Sequence, residues 1–197
     1  MVNEGQKKAI IYFGGNAEDV EYNFLRFTMT FKKHTVYLVQ YRGYLNSTGI
    51  PNEKSLYSDA LHIYDQIKNR YESVSVIGRS LGSGIATYLA SKREIEKLVL
   101  VTPFDSIEKV AQQKFKIFPI SLMLRDKYDS ASRIEDIDTD TLIIYAQNDM
   151  TVYNERTKEL IKEFPKSQLS VKLLKNETHN SVLENVEYYT YMKKFFY

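Results

Sequence analysis

The chain has 197 residues, of which 43% are hydrophobic and 26% charged, values ordinary for a globular protein that folds as one domain, residues 1–197. Its 27 basic and 25 acidic residues leave a net charge of +2, so nucleic-acid binding has no electrostatic support. With no cysteine, disulfides, thiolate metal sites and a cysteine nucleophile are excluded. No signal-peptide pattern and no apolar run of spanning length are present, so we expect a cytoplasmic protein without a membrane span.

Short apolar runs alternate with segments of helical spacing along the chain. Several runs are continuous rather than alternating, which is typical of strands covered on both faces. Repeated strand-helix-strand units predict an α/β fold, a three-layer α/β/α sandwich with a mostly parallel sheet of about six strands. The predicted strands are residues 9–13, 35–40, 74–77, 97–101, 142–146 and 169–174.

The predicted helices have apolar faces that are expected to cover this sheet. Pro165 ends the helix that precedes it. The faces predicted for two other helices are Leu56, Ala60, Ile63 and Ile67, and Val182, Val186 and Tyr189.

Residues 104–140 depart from the alternation of one strand with one helix, because this connection between two strands is longer than a single crossover helix requires. We expect two short helices broken at Pro119 and a small cap or site-shaping segment, although the segment could simply pack over the sheet. Four apolar residues in it could form an acyl pocket, but their spacing is more typical of core. They are Phe115, Phe118, Leu122 and Met123.

Ser80 lies where ligands bind in such sheets, beyond the carboxyl end of a strand. It stands in Gly-x-Ser-x-Gly, residues 78–82, after the run 74–77 and before a helical segment. This context predicts a nucleophile elbow. The alternative is a glycine-rich turn that binds phosphate, but neither Gly-x-Gly-x-x-Gly nor Gly-Lys-Ser/Thr follows.

A serine nucleophile needs a base, and the chain has three histidines. His34 precedes a strand and is expected at the amino end of the sheet. His62 falls within a helix, where we predict a partly buried structural role. His179 follows the last predicted strand in a polar loop, so it is the candidate base.

Two aspartates follow predicted strands and could orient His179. Asp149 is favoured, because it gives the chain order Ser, Asp, His that accompanies a nucleophile elbow. Its alternative role is to cap the next helix. Asp105 follows the preceding strand and could supply the carboxylate instead. No metal or organic cofactor is expected, since neither clustered histidines nor a dinucleotide fingerprint is present.

Two backbone N–H groups are candidates for stabilising an oxyanion. One belongs to Leu81, directly after Ser80. The other belongs to Asn16, because Gly14 and Gly15 permit a sharp turn after the first strand. The two glycines could also make a turn with no further role.

Together these features resemble the α/β-hydrolase superfamily, and within it the compact serine hydrolases related to abhydrolase-domain acyl-protein thioesterases and their uncharacterised bacterial relatives. The resemblance spans nearly the whole chain and implies a triad of Ser80, Asp149 and His179, with Asn16 and Leu81 as the oxyanion hole. The stretches that carry it are "YFGGNAED", "YRGY", "GRSLGSG", "TPFDSI", "RDKYDS", "NDMTV" and "THNS".

The chain departs from that family at several points. Relatives usually have histidine and glycine at Gly14 and Gly15, and aspartate at Gln40. The resemblance also implies a minimal fold that lacks two leading strands, which places the run 35–40 at an exposed sheet edge. Such an edge invites pairing, so we expect a homodimer through it.

The function expected from these residues is a serine hydrolase that cleaves small carboxylic esters or thioesters through an acyl-enzyme on Ser80. A peptidase or an acyltransferase would use the same residues. The other alternative is a non-catalytic protein of this fold that binds a ligand or partner. Two features favour binding: the departure from the family at Gly14 and Gly15, in the turn that would hold the oxyanion, and the 16 tyrosines. The complete set of reactive residues favours catalysis.

Overall fold

Six strands form one parallel sheet in the computed structural model, which describes residues 1–197. The strands are β1 (Lys8–Phe13), β2 (His34–Val39), β3 (Ser73–Arg79), β4 (Leu98–Val101), β5 (Thr141–Ala146) and β6 (Leu169–Leu174). Their order across the sheet is β2-β1-β3-β4-β5-β6, and each coincides with a predicted strand to within two residues.

Helices cover both faces of this sheet and produce the predicted three layers. The helices are α1 (Phe24–Thr30), α2 (Glu53–Ile67), α3 (Leu81–Ala90), α4 (Ile107–Lys114), α5 (Ile120–Met123), α6 (Asn154–Glu163) and α7 (Val186–Phe196). One face of the sheet buries Ile11 and Phe13 of β1 among α2, α3 and α6, and the other buries Ile10 and Tyr12 beneath α1 and α7. Burial on both faces explains the continuous apolar runs.

The strand order reverses between β1 and β3, because the chain first moves outward to β2 and then returns. In parallel sheets such a reversal opens a crevice at the carboxyl ends of the two strands. The turns after β1 and β3 therefore face each other, and they are the turns that carry Asn16 and Ser80.

The last helix has a different buried face from the predicted one. Val182 is buried, but it belongs to a separate 3₁₀ turn, and Val186 is exposed. The Asn185 side chain accepts a hydrogen bond from the N–H of Glu187 and begins a new helix, so the helical phase is reset. The buried residues of α7 are Tyr188, Met192 and Phe196.

Residues 104–140 do contain two short helices, α4 and α5, with Pro119 at the start of the second. The interpretation of the four apolar residues as core is wrong, because all four are exposed. They lie on the turn after α4 and on the single-turn α5, which present them away from the core. Of these two helices, only Val110 of α4 is buried.

The strand β2 lies at one edge of the sheet, as expected. Part of this edge is already covered, because Val2 pairs with Val36 in an isolated antiparallel bridge. None of the helices combines the length and the apolar character needed to cross a membrane.

Candidate active site

Ser80 joins β3 to α3 in a backbone conformation that L residues rarely adopt, with φ 49° and ψ −117°. A non-glycine residue held in this way stores strain of about 1–3 kcal/mol, which the surroundings must offset. The N–H of Ser80 donates to the carbonyl of Val101 at 2.9 Å, and the N–H of Ser83 donates to the carbonyl of Ser80 at 2.8 Å. These bonds hold the hydroxyl at the carboxyl edge of the sheet.

The glycines on either side of Ser80 are required by close backbone contacts. A Cβ atom on Gly78 would lie 2.3 Å from the carbonyl oxygen of Gly82, and one on Gly82 would lie 2.1 Å from that of Phe13. Neither site can hold a side chain unless the backbone moves. The Gly-x-Ser-x-Gly pattern is therefore explained by the sharp turn from β3 to α3.

His179 connects Ser80 to Asp149. Its Nε2 lies 2.9 Å from the Oγ of Ser80, and its Nδ1 lies 2.7 Å from the Oδ2 of Asp149. The imidazole and the Asp149 carboxylate are buried, whereas Ser80 remains partly exposed. The three predicted residues thus meet in a continuous hydrogen-bonded array with the serine at its open end.

Asp149 also has the structural role that the sequence left open. Its Oδ1 accepts hydrogen bonds from the N–H groups of Thr151 and Val152, both at 2.8 Å. One carboxylate oxygen therefore holds the turn before α6 while the other faces His179. The turn fixes the direction in which the carboxylate points.

The other predicted carboxylate, Asp105, does not contact His179. It is fully buried, and its Oδ2 lies 3.0 Å from Nη1 of Arg156 and 3.3 Å from Nζ of Lys109. Its Oδ1 accepts a hydrogen bond from the N–H of Ser106 at 2.9 Å. Its ion pairs connect the end of β4 to α4 and α6.

The other two histidines lie away from this array. His34 is the first residue of β2, at the amino end of the sheet as expected, and packs against Phe196 and Tyr197. His62 lies within α2 but is exposed, so the prediction of partial burial is wrong. It falls on the face of α2 opposite the buried Tyr64.

The turn after β1 faces Ser80. A Cβ atom on Gly15 would lie 3.5 Å from the Cβ of Ser80. The N–H of Asn16 donates to no group within the protein. Leu81 is the first residue of α3, where a helix leaves its N–H groups without intrahelical acceptors. The two predicted N–H groups thus lie on facing turns and are free to donate.

Two tyrosines of the "YRGY" stretch hold this turn in place. The hydroxyl of Tyr41 donates to the carbonyl of Gly14 at 2.7 Å, and the hydroxyl of Tyr44 donates to the Oδ1 of Asn16 at 2.5 Å. The two hydroxyls therefore fix both the backbone of this turn at Gly14 and the side chain of Asn16.

A buried ion pair that sequence reasoning missed joins this turn to the histidine loop. Nη1 of Arg79 lies 2.8 Å from Oε2 of Glu18, which also accepts the N–H of Gly15 at 2.6 Å. Nη2 of Arg79 donates to the carbonyl of His179 at 3.1 Å and to the Oδ1 of Asn180 at 2.8 Å. One guanidinium therefore braces both sides of the site.

The charges of this pair depend on each other. Burial alone would raise the pKa of Glu18, but the Arg79 guanidinium and hydrogen bonds from Gly15 and Tyr12 hold it below its ordinary value. Burial opposes the charge of Arg79 as well, and the neighbouring Glu18 carboxylate raises the pKa of Arg79 above its ordinary value. Both groups are charged at neutral pH.

The sequence contained a signal for this pair. Arg79 ends a strand whose other residues are almost all apolar or small, and a buried arginine requires an anionic partner. The position of that partner, 61 residues earlier, could not be deduced from spacing.

The parallel sheet, the strained serine between strand and helix, and its contact with His179 define a serine hydrolase of the α/β-hydrolase superfamily. The sequence matches the serine hydrolase (FSH1) family over residues 16–180, and the chain belongs to that family.

Two curated proteins illustrate what the sequence is similar to. Protein Rv2307c of Mycobacterium tuberculosis, which is uncharacterised, is 28% identical over 80% of this chain and 58% of its own length. The lysophosphatidylserine lipase ABHD12 of Gallus gallus is 30% identical over 73% of this chain and 44% of its own length. The chain thus spans only about half the length of these relatives.

Solved structures show the same fold at lower identity. A hydrolase from Agrobacterium vitis superimposes with a TM-score of 0.77 at 16% identity, covering 96% of this chain and 87% of its own. A lipase-esterase related protein from Clostridium acetobutylicum gives a TM-score of 0.75 at 12% identity, covering 98% and 94%.

Proposed function

We propose that the protein hydrolyses carboxylic esters through an acyl-enzyme intermediate on Ser80, with His179 as general base and acid and Asp149 as its orienting carboxylate. The observation that carries the proposal is the position of His179, 2.9 Å from the Ser80 Oγ through Nε2 and 2.7 Å from Asp149 through Nδ1. A proton on Nδ1 faces the carboxylate, which leaves Nε2 to accept the serine proton.

In the first half of the reaction, Ser80 Oγ attacks the acyl carbon and its proton passes to Nε2 of His179. The negative charge that develops on the carbonyl oxygen is stabilised by the N–H groups of Asn16 and Leu81. Removal of one such donor from comparable sites costs about 10²–10³ in kcat. The tetrahedral intermediate then expels the alcohol, which takes the proton from His179, and the acyl group remains on Ser80.

In the second half, water attacks the acyl-enzyme and gives a proton to Nε2 of His179. A second tetrahedral intermediate forms with its oxyanion in the same position. Its collapse releases the carboxylic acid and returns the proton to Ser80. No residue outside the site is needed to balance protons.

Two observations bear on the class of substrate. A curated relative is named a lysophosphatidylserine lipase, which supports an ester of a long-chain acid as one candidate substrate. Ser80 lines neither of two surface cavities of about 510 and 520 Å³, and it is partly exposed. We therefore infer that the acyl chain lies along the open surface beside Ser80 rather than in either cavity.

Turnover of p-nitrophenyl esters of increasing chain length tests the proposal. The wild type is expected to exceed Ser80→Ala by at least about 10⁴-fold, while Ser121→Ala, which changes an exposed serine, keeps wild-type turnover. Equal turnover by wild type and Ser80→Ala would instead favour a non-catalytic binding protein. Parallel thioester, amide and acceptor-alcohol assays distinguish an esterase from a thioesterase, a peptidase and an acyltransferase.

A further inference from the structure

An apolar patch projects from the end of α4, the turn after it and α5. Ile117 is 94% exposed and Leu122 is 85% exposed, although both are large aliphatic residues. We call this surface the α4–α5 patch. Contiguous apolar exposure of this kind marks an interaction surface, whereas single exposed residues are ordinary. The patch consists of Phe115, Ile117, Phe118, Leu122 and Met123.

Basic side chains lie among the residues of the patch, and one acidic residue stands at each end of the segment, Glu108 and Asp126. Residues 109–125 contain four basic residues and no acidic one, a net charge of +4. Because the whole chain carries +2, the remaining residues carry −2 (+2 minus +4). Lys114, Lys116 and Arg125 form no ion pair, whereas Lys109 pairs with Asp105. Apolar side chains among basic side chains without ion-pair partners are suited to the surface of an anionic membrane. The basic groups contact the lipid headgroups there, and the apolar groups enter the boundary between headgroups and acyl chains.

The patch is presented in a fixed shape. The side-chain amide of Gln112 donates from Nε2 to the carbonyl of Phe118 at 3.1 Å, and its Oε1 accepts the N–H of Ile120 at 3.3 Å. The turn between α4 and α5 is thereby tied back to α4. A surface that is already ordered loses little conformational entropy when it binds.

The patch lies at the same edge of the sheet as Ser80. The N–H of Ile107 donates to the carbonyl of Lys127 at 2.8 Å, which closes the base of the segment. Gln113 donates to Glu155 at the start of α6, and the N–H of Lys127 donates to Glu53 at the start of α2, both at 2.7 Å. Helices that follow parallel strands start at the carboxyl edge, where the active site also lies.

We propose that the α4–α5 patch docks the protein on an anionic lipid bilayer. Phe115, Ile117 and Leu122 enter the interface, and the three free cations meet the anionic headgroups. The docking is peripheral, since none of the helices has the length and apolar character to cross a bilayer. It requires no hydrolytic activity, so it stands or falls independently of the proposed function.

Co-sedimentation with vesicles tests the docking. The vesicles are phosphatidylcholine alone and phosphatidylcholine mixed with phosphatidylserine, each at low and high salt. The test variant is Lys116→Glu with Ile117→Ser. The control is Lys32→Glu with Met29→Ser, a matched exposed pair near the end of α1, toward the opposite edge of the sheet. Thermal unfolding of each variant checks that the fold is intact.

We expect the wild type and the control to bind the phosphatidylserine vesicles, less tightly at high salt, and the test variant to partition at least about tenfold less. Absence of binding by the wild type would overturn the proposal, as would an equal loss in both variants. A wild-type dimer that dissociates in the test variant would also overturn it, because the patch would then meet a second copy of the chain.

Discussion

Asp149 and Asp105 occupy equivalent positions in the sequence, since each follows a strand by a few residues and each is buried. Their partners differ. Asp149 faces His179 on one side and two backbone N–H groups on the other, whereas Asp105 faces Arg156 and Lys109. A buried carboxylate at this edge of the sheet is thus not sufficient for a role in the site. The neighbouring element that supplies its partner decides the role.

Among the carboxylate variants, the largest expected effect is that of Asp149→Asn. The amide keeps the shape of the carboxylate but cannot stabilise a cationic imidazole, and it favours the wrong tautomer of His179. A decrease in kcat of about 10⁴-fold is expected by analogy with other triads. Steady-state kinetics on a p-nitrophenyl ester measure it, with circular dichroism to confirm folding. A kcat near that of the wild type would remove Asp149 from the mechanism.

Glu18→Gln sharpens the comparison. Glu18 is in an ion pair like Asp105, yet it also contacts Gly15 in the turn after β1, where we propose that Asn16 donates to the oxyanion. We expect kcat to fall by about tenfold or more, because displacement of an oxyanion donor is costly, with a smaller change in KM. Glu21→Gln is the matched control, an exposed carboxylate three residues later, on the 3₁₀ turn Val20–Asn23. Equal kinetics for the two variants would assign Glu18 a purely structural role.

Asp105→Asn is expected to separate stability from catalysis. Arg156 would lose its buried counter-charge, and loss of one member of a buried pair costs about 3 kcal/mol. Urea unfolding should show this loss, while kcat of the folded fraction stays close to the wild-type value. Asp105→Leu combined with Arg156→Leu should recover much of the stability, since no buried charge is left unpaired and the remaining partner, Lys109, is more than half exposed. A large decrease in kcat would mean that Asp105, too, acts in the site.

The smallest effect is a pH dependence of stability that Glu18 contributes. Its pKa is lower in the folded protein than the ordinary value of 4.5, so the folded state binds fewer protons. This contribution is present above pH 4.5 and is lost as the pH falls through the folded pKa. The difference in free energy of unfolding between wild type and Glu18→Gln should therefore shrink in acid. A constant difference would show that Glu18 is not an ionised, stabilised carboxylate.

The strands and the positions of the three central residues could be predicted because both depend on local patterns. Continuous apolar runs determine the strands, and Ser80, Asp149 and His179 each follow one of them. Arg79 and Glu18 could not be paired from the sequence, since their contact joins distant segments. The prediction of the buried face of α7 was wrong because the Asn185 side chain caps a new helix there and changes the helical phase. The spacing of apolar residues does not reveal such a cap.

The apolar residues between α4 and α5 show another limit of sequence patterns. Their spacing is typical of core, but it does not indicate whether the rest of the chain covers them. In the structure Phe118 is 53% exposed and Leu122 is 85% exposed. The same spacing that is typical of a core can therefore mark an exposed interaction surface.

The central claim, that Ser80 is the activated nucleophile, is tested most directly by a fluorophosphonate probe followed by intact-mass and peptide analysis. The account predicts a single adduct, located on the peptide that contains Ser80. It predicts no adduct on Ser80→Ala. The Asp149→Asn variant should be labelled slowly, whereas the Asp105→Asn variant should be labelled at the wild-type rate. An adduct that persists in Ser80→Ala, or a wild type that does not react, would contradict it.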